Sequence, residues 1–140
     1  MILTKTMARF LVGTIPVVGH VSPSIPIVRQ LVQRGHEVWW YTGKLFQPYV
    51  EATGATFAPM IHALDYSIAE NVPEAWVKER AAVEGIAQLK FDLKHFFIEA
   101  AIGHVQDYDE LLQQFPADAL PLGYLRVPKD FLMWFRLTYI

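Results

Sequence analysis

Short apolar runs alternate with amphipathic segments along the first half of the chain. Residues 9–14 form a continuous apolar run, the pattern of a strand buried on both faces of a sheet. Residues 37–42 are rich in aromatic and β-branched side chains, and residues 55–58 repeat the strand pattern. Between the first two runs, apolar residues recur every three or four positions as far as Arg34, which predicts a helix with one face on a sheet.

Helix boundaries support an alternating order of elements. Ser22 and Pro23 form a predicted N-cap and first-turn proline, so the first helix is expected to begin there, after a loop. Gly35 and Gly54 each follow a predicted helix, where glycine ends a helix without the Cβ penalty. Strands that alternate with helices imply a parallel sheet. The predicted fold class is α/β, a Rossmann-like, mainly parallel sheet with helices on both faces.

The region after the third strand is predicted to hold one long loop and two helices. Residues 60–78 have no periodicity and are expected to form a surface connection, a place where function is often found. Helical periodicity returns over residues 80–101 and again over residues 104–115, with a break expected at Gly103. One face of the first of these helices carries four large apolar residues: Ile86, Leu89, Leu93 and Phe97.

The last 22 residues depart from the pattern. The alternating order calls for a fourth strand after Asp118, but Pro121, Gly123 and Pro128 interrupt the segment, and proline cannot donate to a central ladder. We therefore expect that this segment does not complete the sheet. The sequence therefore predicts a domain over residues 8–118 and an anomalous tail over residues 119–140, with the character of an out-of-frame or truncated end. We expect removal of this tail to change stability little, and the isolated chain to be poorly soluble or oligomeric.

Composition excludes several classes of protein. Twelve basic and 14 acidic residues give a net charge of -2 without a basic block, which disfavours nucleic acid as a partner. The chain has no cysteine, so disulfides and thiolate metal sites are absent. No apolar stretch reaches the roughly 18–20 residues of a membrane span, and Pro16 interrupts the N-terminal apolar run. A cytoplasmic location is therefore expected.

Motifs for common cofactors are missing. The first predicted strand is not followed by Gly-x-Gly-x-x-Gly, and neither a P-loop nor a His-Glu-x-x-His sequence occurs. No resident cofactor and no metal are expected.

One loop is the candidate for chemistry. Gly19-His20-Val21-Ser22-Pro23 follows the carboxyl end of the first predicted strand, the edge where open parallel sheets bind ligands. Histidine titrates near neutral pH and can act as a base, but a histidine here could equally cap the helix or pack in the turn. The other polar and aromatic candidates are expected to be structural: the remaining histidines as surface or packing residues, the large aromatics as core, and Asp107 and Asp109 as acidic residues at an exposed helix start.

Several motifs together carry a family resemblance. Gly19-His20-Val21-Ser22-Pro23 is followed by Arg34-Gly35-His36-Glu37-Val38 and by Thr53-Gly54-Ala55-Thr56-Phe57. In this combination, over roughly residues 8–118, the chain resembles the N-terminal, acceptor-binding half of the GT-B nucleotide-sugar glycosyltransferases, the family of plant and macrolide glucosyltransferases.

The resemblance implies a reaction and roles for residues. His20 matches the general base that deprotonates an acceptor hydroxyl in an inverting hexose transfer from a nucleotide-sugar, with a UDP-sugar expected. Thr14, Gly19, Val21 and Ser22 would shape the acceptor and phosphate edge. The region from Met60 to Phe97 falls where the family binds its acceptor, which suggests a lipophilic alcohol or phenol. The family's aspartate partner for the histidine follows the fourth strand and cannot be assigned here.

The resemblance leaves alternatives open. The family's C-terminal domain, which holds the nucleotide-sugar, has no counterpart in these 140 residues. The chain could instead be a non-catalytic partner subunit of a split glycosyltransferase or an inactive fragment, and an unrelated flavodoxin-like binding domain is a third possibility.

Overall fold

A five-stranded sheet organises the molecule, with the strands in the order β3-β2-β1-β4-β5. The computed structural model describes residues 6–122 and 125–127. The strands are β1 (Arg9–Gly13), β2 (Glu37–Thr42), β3 (Thr56–Pro59), β4 (Leu120–Leu122) and β5 (Leu125–Val127). The helices are α1 (Val18–Gln33), α2 (Gln47–Glu51), α3 (Glu74–Ala81), α4 (Gly85–Asp92) and α5 (Ala100–Gln114). Shorter turns join them: two 3₁₀ turns, Lys44–Phe46 and Ala69–Asn71, and one π-helical turn, Leu93–Ile98.

The sheet is mainly parallel, which confirms the predicted fold class. β1 pairs in parallel with β2 and with β4, and β2 pairs in parallel with β3; β5 runs antiparallel to β4. Side chains alternate across the sheet, so Leu11 and Val12 enter different clusters. One cluster packs against α1 and α2, with Val28 and Val50 among its members, and the other packs against α5 through Leu111. Helices therefore cover both faces.

The first helix begins earlier than predicted. α1 starts at Val18, and Pro23 and Pro26 both lie inside it. Pro23 cannot donate to the carbonyl four residues earlier, but the next carbonyl, that of His20, accepts a bond from the Ser24 hydroxyl at 3.1 Å. Burial of Val21 holds the first turns against the sheet, and this packing outweighs the proline signal. The glycines predicted to end the first two helices adopt the left-handed conformation: φ is 81° at Gly35, after α1, and 87° at Gly54, after α2.

The second half of the chain differs from the prediction in three ways. α3 begins at Glu74, inside the expected loop 60–78, and α4 begins only at Gly85, so residues 80–101 are not one helix. Gly103 lies inside α5 and does not break a helix; a Cβ there would stand 2.6 Å from the Ala63 Cα, so glycine serves close packing. The apolar face of α4 and the π-helical turn is exposed, and Ile86 and Phe97 are 74% and 48% accessible. Phe91 and His95, on the other side of this segment, are the buried residues.

The expectation that no strand follows Asp118 is wrong. The Leu11 amide donates to the Ala119 carbonyl at 3.1 Å and the Asp118 amide to the Arg9 carbonyl at 2.8 Å. Leu120 is fully buried. Pro121 removes one ladder donor, but β4 is supported on both sides because it lies between β1 and β5. Gly123 and Pro128 lie outside the described residues, and a division of the chain at residue 118 stays a prediction.

Candidate active site

His20 lies at the carboxyl edge of the sheet. The chain leaves β1, crosses residues 14–17 and enters α1, of which His20 is the third residue. The extended Val17 precedes the helix, and its carbonyl accepts the amides of His20 and Val21, each at 3.0 Å. The His20 side chain is exposed. Within the described part of the chain no side chain bonds to its imidazole, so both ring nitrogens face solvent or a ligand.

The other predicted site residues divide into exposed and buried ones. Gly19 and Ser22 are exposed, and a Cβ built on Gly19 would meet nothing within 4 Å. Val21 is buried in the core beneath the turn. Thr14 is also buried; its hydroxyl oxygen accepts the Trp40 indole N–H at 3.0 Å, and its amide donates to the Tyr41 carbonyl at 3.0 Å. Their roles toward a ligand stay predictions, and the structure shows Thr14 and Val21 fixing the turn that presents His20.

Asp118 lies at the opposite edge of the sheet from His20. Its carboxylate accepts the amide N–H of Arg9 at 2.8 Å and lies 3.9 Å from the Arg9 guanidinium. Arg9 is the first residue of β1 and His20 follows its last. Asp118 is therefore too distant to orient His20, and the histidine has no carboxylate partner among residues 6–122.

A buried polar network beside the carboxyl edge was missed by the sequence analysis. Asp107 was expected at an exposed helix start, but it lies in the middle of α5 and is only 2% exposed. Its carboxylate accepts the Tyr41 hydroxyl at 2.7 Å and three consecutive backbone amides: Ile61 at 3.2 Å, His62 at 2.7 Å and Ala63 at 3.1 Å. Helical spacing in the sequence could have indicated that Asp107 is buried, since it stands one turn before the buried Leu111 and so shares its face.

His104 completes this network. Its Nδ1 lies 2.8 Å from the Tyr41 hydroxyl oxygen. Tyr41 gives its single proton to Asp107, so the His104 Nδ1–H is the donor to Tyr41. Burial raises the pKa of the Tyr41 phenol, and the hydrogen bond to Asp107 adds to the rise. Burial lowers the pKa of His104, although the Asp107 charge partly opposes this.

An aromatic cluster lies under the exposed face of α4. The His95 ring packs between Trp76 and Phe91, with centroid separations of 4.3 and 4.4 Å, and its Nδ1 is 2.7 Å from a Glu99 carboxylate oxygen. This confirms a packing role for His95. The prediction that large aromatics are core residues is confirmed for Trp40 and Phe91, which are buried. It also holds for Trp39, which stacks on the buried Phe115. Phe97 is the exception, being half exposed.

The described residues contain neither a candidate membrane-spanning helix nor a candidate metal cluster. No described helix combines the length and apolarity needed to cross a membrane. Residues 6–122 include no group of three or more histidine, aspartate or glutamate side chains placed to hold a metal ion.

Curated proteins similar to this chain are glycosyltransferases. It is 43% identical over 114 residues to the 4'-demethylrebeccamycin synthase of Lentzea aerocolonigenes, a match that covers 81% of this chain and 26% of that protein. It is 33% identical over 96 residues to the UDP-glucosyltransferase B1 of Starmerella bombicola, covering 69% of this chain and 21% of that protein. The chain thus spans about a quarter of the length of these relatives. No family model matches it.

Solved structures agree on the fold. The glycotransferase of kitacinnamycin superposes with a TM-score of 0.59 at 22% identity, over 83% of this chain and 24% of that one. The calicheamicin glycosyltransferase CalG4 gives a TM-score of 0.60 at 22% identity, over 83% and 26%. The parallel sheet matches the GT-B fold of these structures, and the sequence is similar to the glycosyltransferases named above.

Proposed function

We propose that this chain provides the acceptor-binding half of an inverting glycosyltransferase, with His20 as the general base. In that reaction His20 takes the proton of an acceptor hydroxyl while the hydroxyl oxygen attacks the anomeric carbon of a nucleotide-sugar. The new carbon–oxygen bond forms as the bond to the nucleoside diphosphate breaks. A positioned base contributes on the order of 10² to 10⁴ in rate. No protein nucleophile is needed.

The position of His20 carries the proposal. It stands exposed at the carboxyl edge of a parallel sheet, the edge where ligands of open α/β sheets bind. Its backbone is fixed by bonds at both its amide and its carbonyl, while its imidazole is unobstructed. A base must be held in place by its backbone while its ring stays accessible to a substrate, and the backbone bonds and the exposure of His20 support that role.

Two further exposed features of the chain are compatible with the two substrates. The first amides of a helix lack partners within the helix, and its dipole favours negative charge there. α1 has no acidic residue in its first turn, so the backbone around Gly19 can approach the diphosphate of a UDP-sugar. The half-exposed apolar side chains Leu93 and Phe97 fit a lipophilic alcohol or phenol as acceptor. Firm binding of the nucleotide-sugar requires a C-terminal domain, and we propose no resident cofactor or metal and a cytoplasmic enzyme.

A chimera tests this function. The segment of 4'-demethylrebeccamycin synthase that matches this chain is replaced by the corresponding residues of this chain, and sugar transfer to a set of hydrophobic phenols is measured. We expect turnover that falls about 100-fold or more in His20→Gln. His36→Gln is the matched control: it removes the histidine that accepts the Ala8 amide at 3.1 Å at the opposite edge, and should leave the rate near that of the parent.

Other outcomes separate the alternatives. A parent chimera that turns over but is insensitive to His20→Gln refutes the base assignment. A folded chimera that binds phenols without turnover favours a non-catalytic partner subunit. The 140-residue chain alone should not bind UDP-glucose tightly by calorimetry, and micromolar affinity would contradict the assignment of the donor site to a C-terminal domain.

A further inference from the structure

Two buried carboxylates fasten the connection after β3 to the rest of the molecule. The first is Asp107 of α5, which gathers three consecutive amides, from Ile61 to Ala63, onto one carboxylate. Gly103, one turn earlier, lets α5 approach so closely that a Cβ would lie 2.6 Å from the Ala63 Cα. This end of the connection is therefore fixed to α5.

The second carboxylate is Asp65, which fastens the connection to the end of β2. It is 8% exposed and accepts the Lys44 amide at 2.6 Å and the Ser67 amide at 3.0 Å. The Ser67 hydroxyl bonds to the same carboxylate, and its oxygen accepts the Leu45 amide at 3.3 Å. Residues 65–67 thus satisfy the first amides of the 3₁₀ turn after β2, groups that have no partner inside that turn.

These two attachments reach the turn that carries His20 through Gly43. A Cβ on Gly43 would lie 2.5 Å from an Asp65 oxygen, from the Ser67 oxygen and from the Pro16 Cβ. Residues 65–67 and the loop ahead of α1 therefore converge on one glycine. Pro16 is buried and directly precedes Val17, whose carbonyl holds the His20 and Val21 amides.

We propose that Asp65 and Asp107 are positioning residues for His20: together they hold residues 61–67 against Gly43 and Pro16, and so fix the loop 14–17 and the first turn of α1. The series of contacts is continuous from Asp107 to His20, as physical coupling between sites requires. Its catalytic consequence rests on the proposed role of His20. The mechanical part, that these contacts fix the backbone of residues 14–17 and of the first turn of α1, does not depend on the role of the His20 side chain.

Hydrogen exchange on the 140-residue chain tests the mechanical part. In Asp65→Asn, which loses a charged acceptor, we expect the Lys44, His20 and Val21 amides to exchange about tenfold faster, while the Val28 and Val38 amides keep their rates. Asp118→Asn is the matched control, since Asp118 also accepts a backbone amide but at the opposite edge. Ser67→Ala is the milder second variant and should give a smaller effect at the same amides.

The outcomes are distinct. Faster exchange at Lys44 with unchanged His20 and Val21 overturns the proposal, and so does a uniform increase that includes Val28 and Val38. In the chimera, Asp65→Asn should lower kcat with little change in KM. If His20→Gln leaves turnover intact while the exchange pattern holds, the role of His20 fails and the positioning contacts stand.

Discussion

The hydroxyl of Thr42 stands out among the individual side chains because it is buried without a partner. The residue is fully buried at the end of β2, and its Oγ1 makes no hydrogen bond to the described residues. An unsatisfied buried polar group costs about 1–3 kcal/mol. Thr42→Val keeps the shape and removes the group, so we expect the free energy of unfolding to rise by about 1 kcal/mol in urea denaturation.

Thr53→Val is the control for this change. Thr53 is also buried, but its hydroxyl donates to the Val50 carbonyl at 2.6 Å and accepts the Ala55 amide at 3.3 Å. The same substitution there should cost about 1–2 kcal/mol. Equal effects of the two valines would show that the Thr42 hydroxyl is in fact satisfied.

His104 makes stability depend on pH in the neutral to acid range. Burial lowers its pKa in the folded state, so below a pH of about 6.5 the unfolded chain binds more protons than the folded one. The free energy of unfolding should therefore decrease as pH falls through 6.5 and continue to decrease until the folded-state pKa is passed. In His104→Asn, whose amide can replace the donor to Tyr41, urea denaturation between pH 7 and 5 should show a smaller slope. Identical slopes would contradict the assignment.

Residue roles were predictable only where the sequence carries a periodic or motif signal. His20 follows from its motif and Gly35 from its place after a helix. Helical spacing places Asp107 on the buried face of its helix, but the amides that Asp107 and Asp65 accept could not be predicted, because only the fold brings them near. Gly43 was unpredictable for a similar reason: its neighbours are brought together only by the fold.

The close approach of α5 to residues 61–63 gives a test at the level of elements. Gly103→Ala should destabilise the protein by about 1–3 kcal/mol, because the new methyl meets fixed backbone of residues 62 and 63. Gly19→Ala, also within a helix, has open space and should be neutral or stabilising by up to about 1 kcal/mol. Thermal unfolding of both variants compares them, and similar melting temperatures would refute the tight contact.

Elements were predictable to the extent that local pattern decided them. The first three strands match their apolar runs closely, since β1 and β2 contribute residues to both core clusters, and β3 contributes the buried Ala58 to one of them. The start of α1 was misplaced because packing of Val21 overrides the local signal of Pro23. In the second half, glycine at position 103 predicted a helix break, but Gly103 lies inside α5, where the absence of a side chain allows close contact with residues 62 and 63.

For the whole molecule, β4 is a strand of the sheet, next to β1. Leu120 is fully buried in the same cluster as Leu11 and Leu111, so Leu120→Ala should cost about 2–5 kcal/mol in urea denaturation. Leu45→Ala, at a leucine that is 57% exposed, is the control and should cost less than about 1 kcal/mol. A small effect at Leu120 would restore the expectation that the sheet ends at Asp118.

Self-association of the isolated chain stays a prediction, and the structure indicates which surface would cause it. Ile86 and Leu89 are 74% and 57% exposed on one face of α4, and adjacent exposed apolar side chains favour association. Ile86→Glu with Leu89→Lys should shift gel filtration toward the monomer without lowering the melting temperature. Ile27→Lys, at an equally exposed site on α1, should leave the elution volume unchanged.

The π-helical turn fixes how long this part of the chain must be. Its bond from the Glu99 amide to the Lys94 carbonyl, at 2.9 Å, spans five residues instead of four. Each helical residue rotates the chain by about 100°, so deletion of a single residue here would turn α5 by that angle relative to α4. Gly103 and Asp107 would then leave residues 61–63. Members of the family that keep both contacts should therefore tolerate substitutions in this turn but not a change in its length.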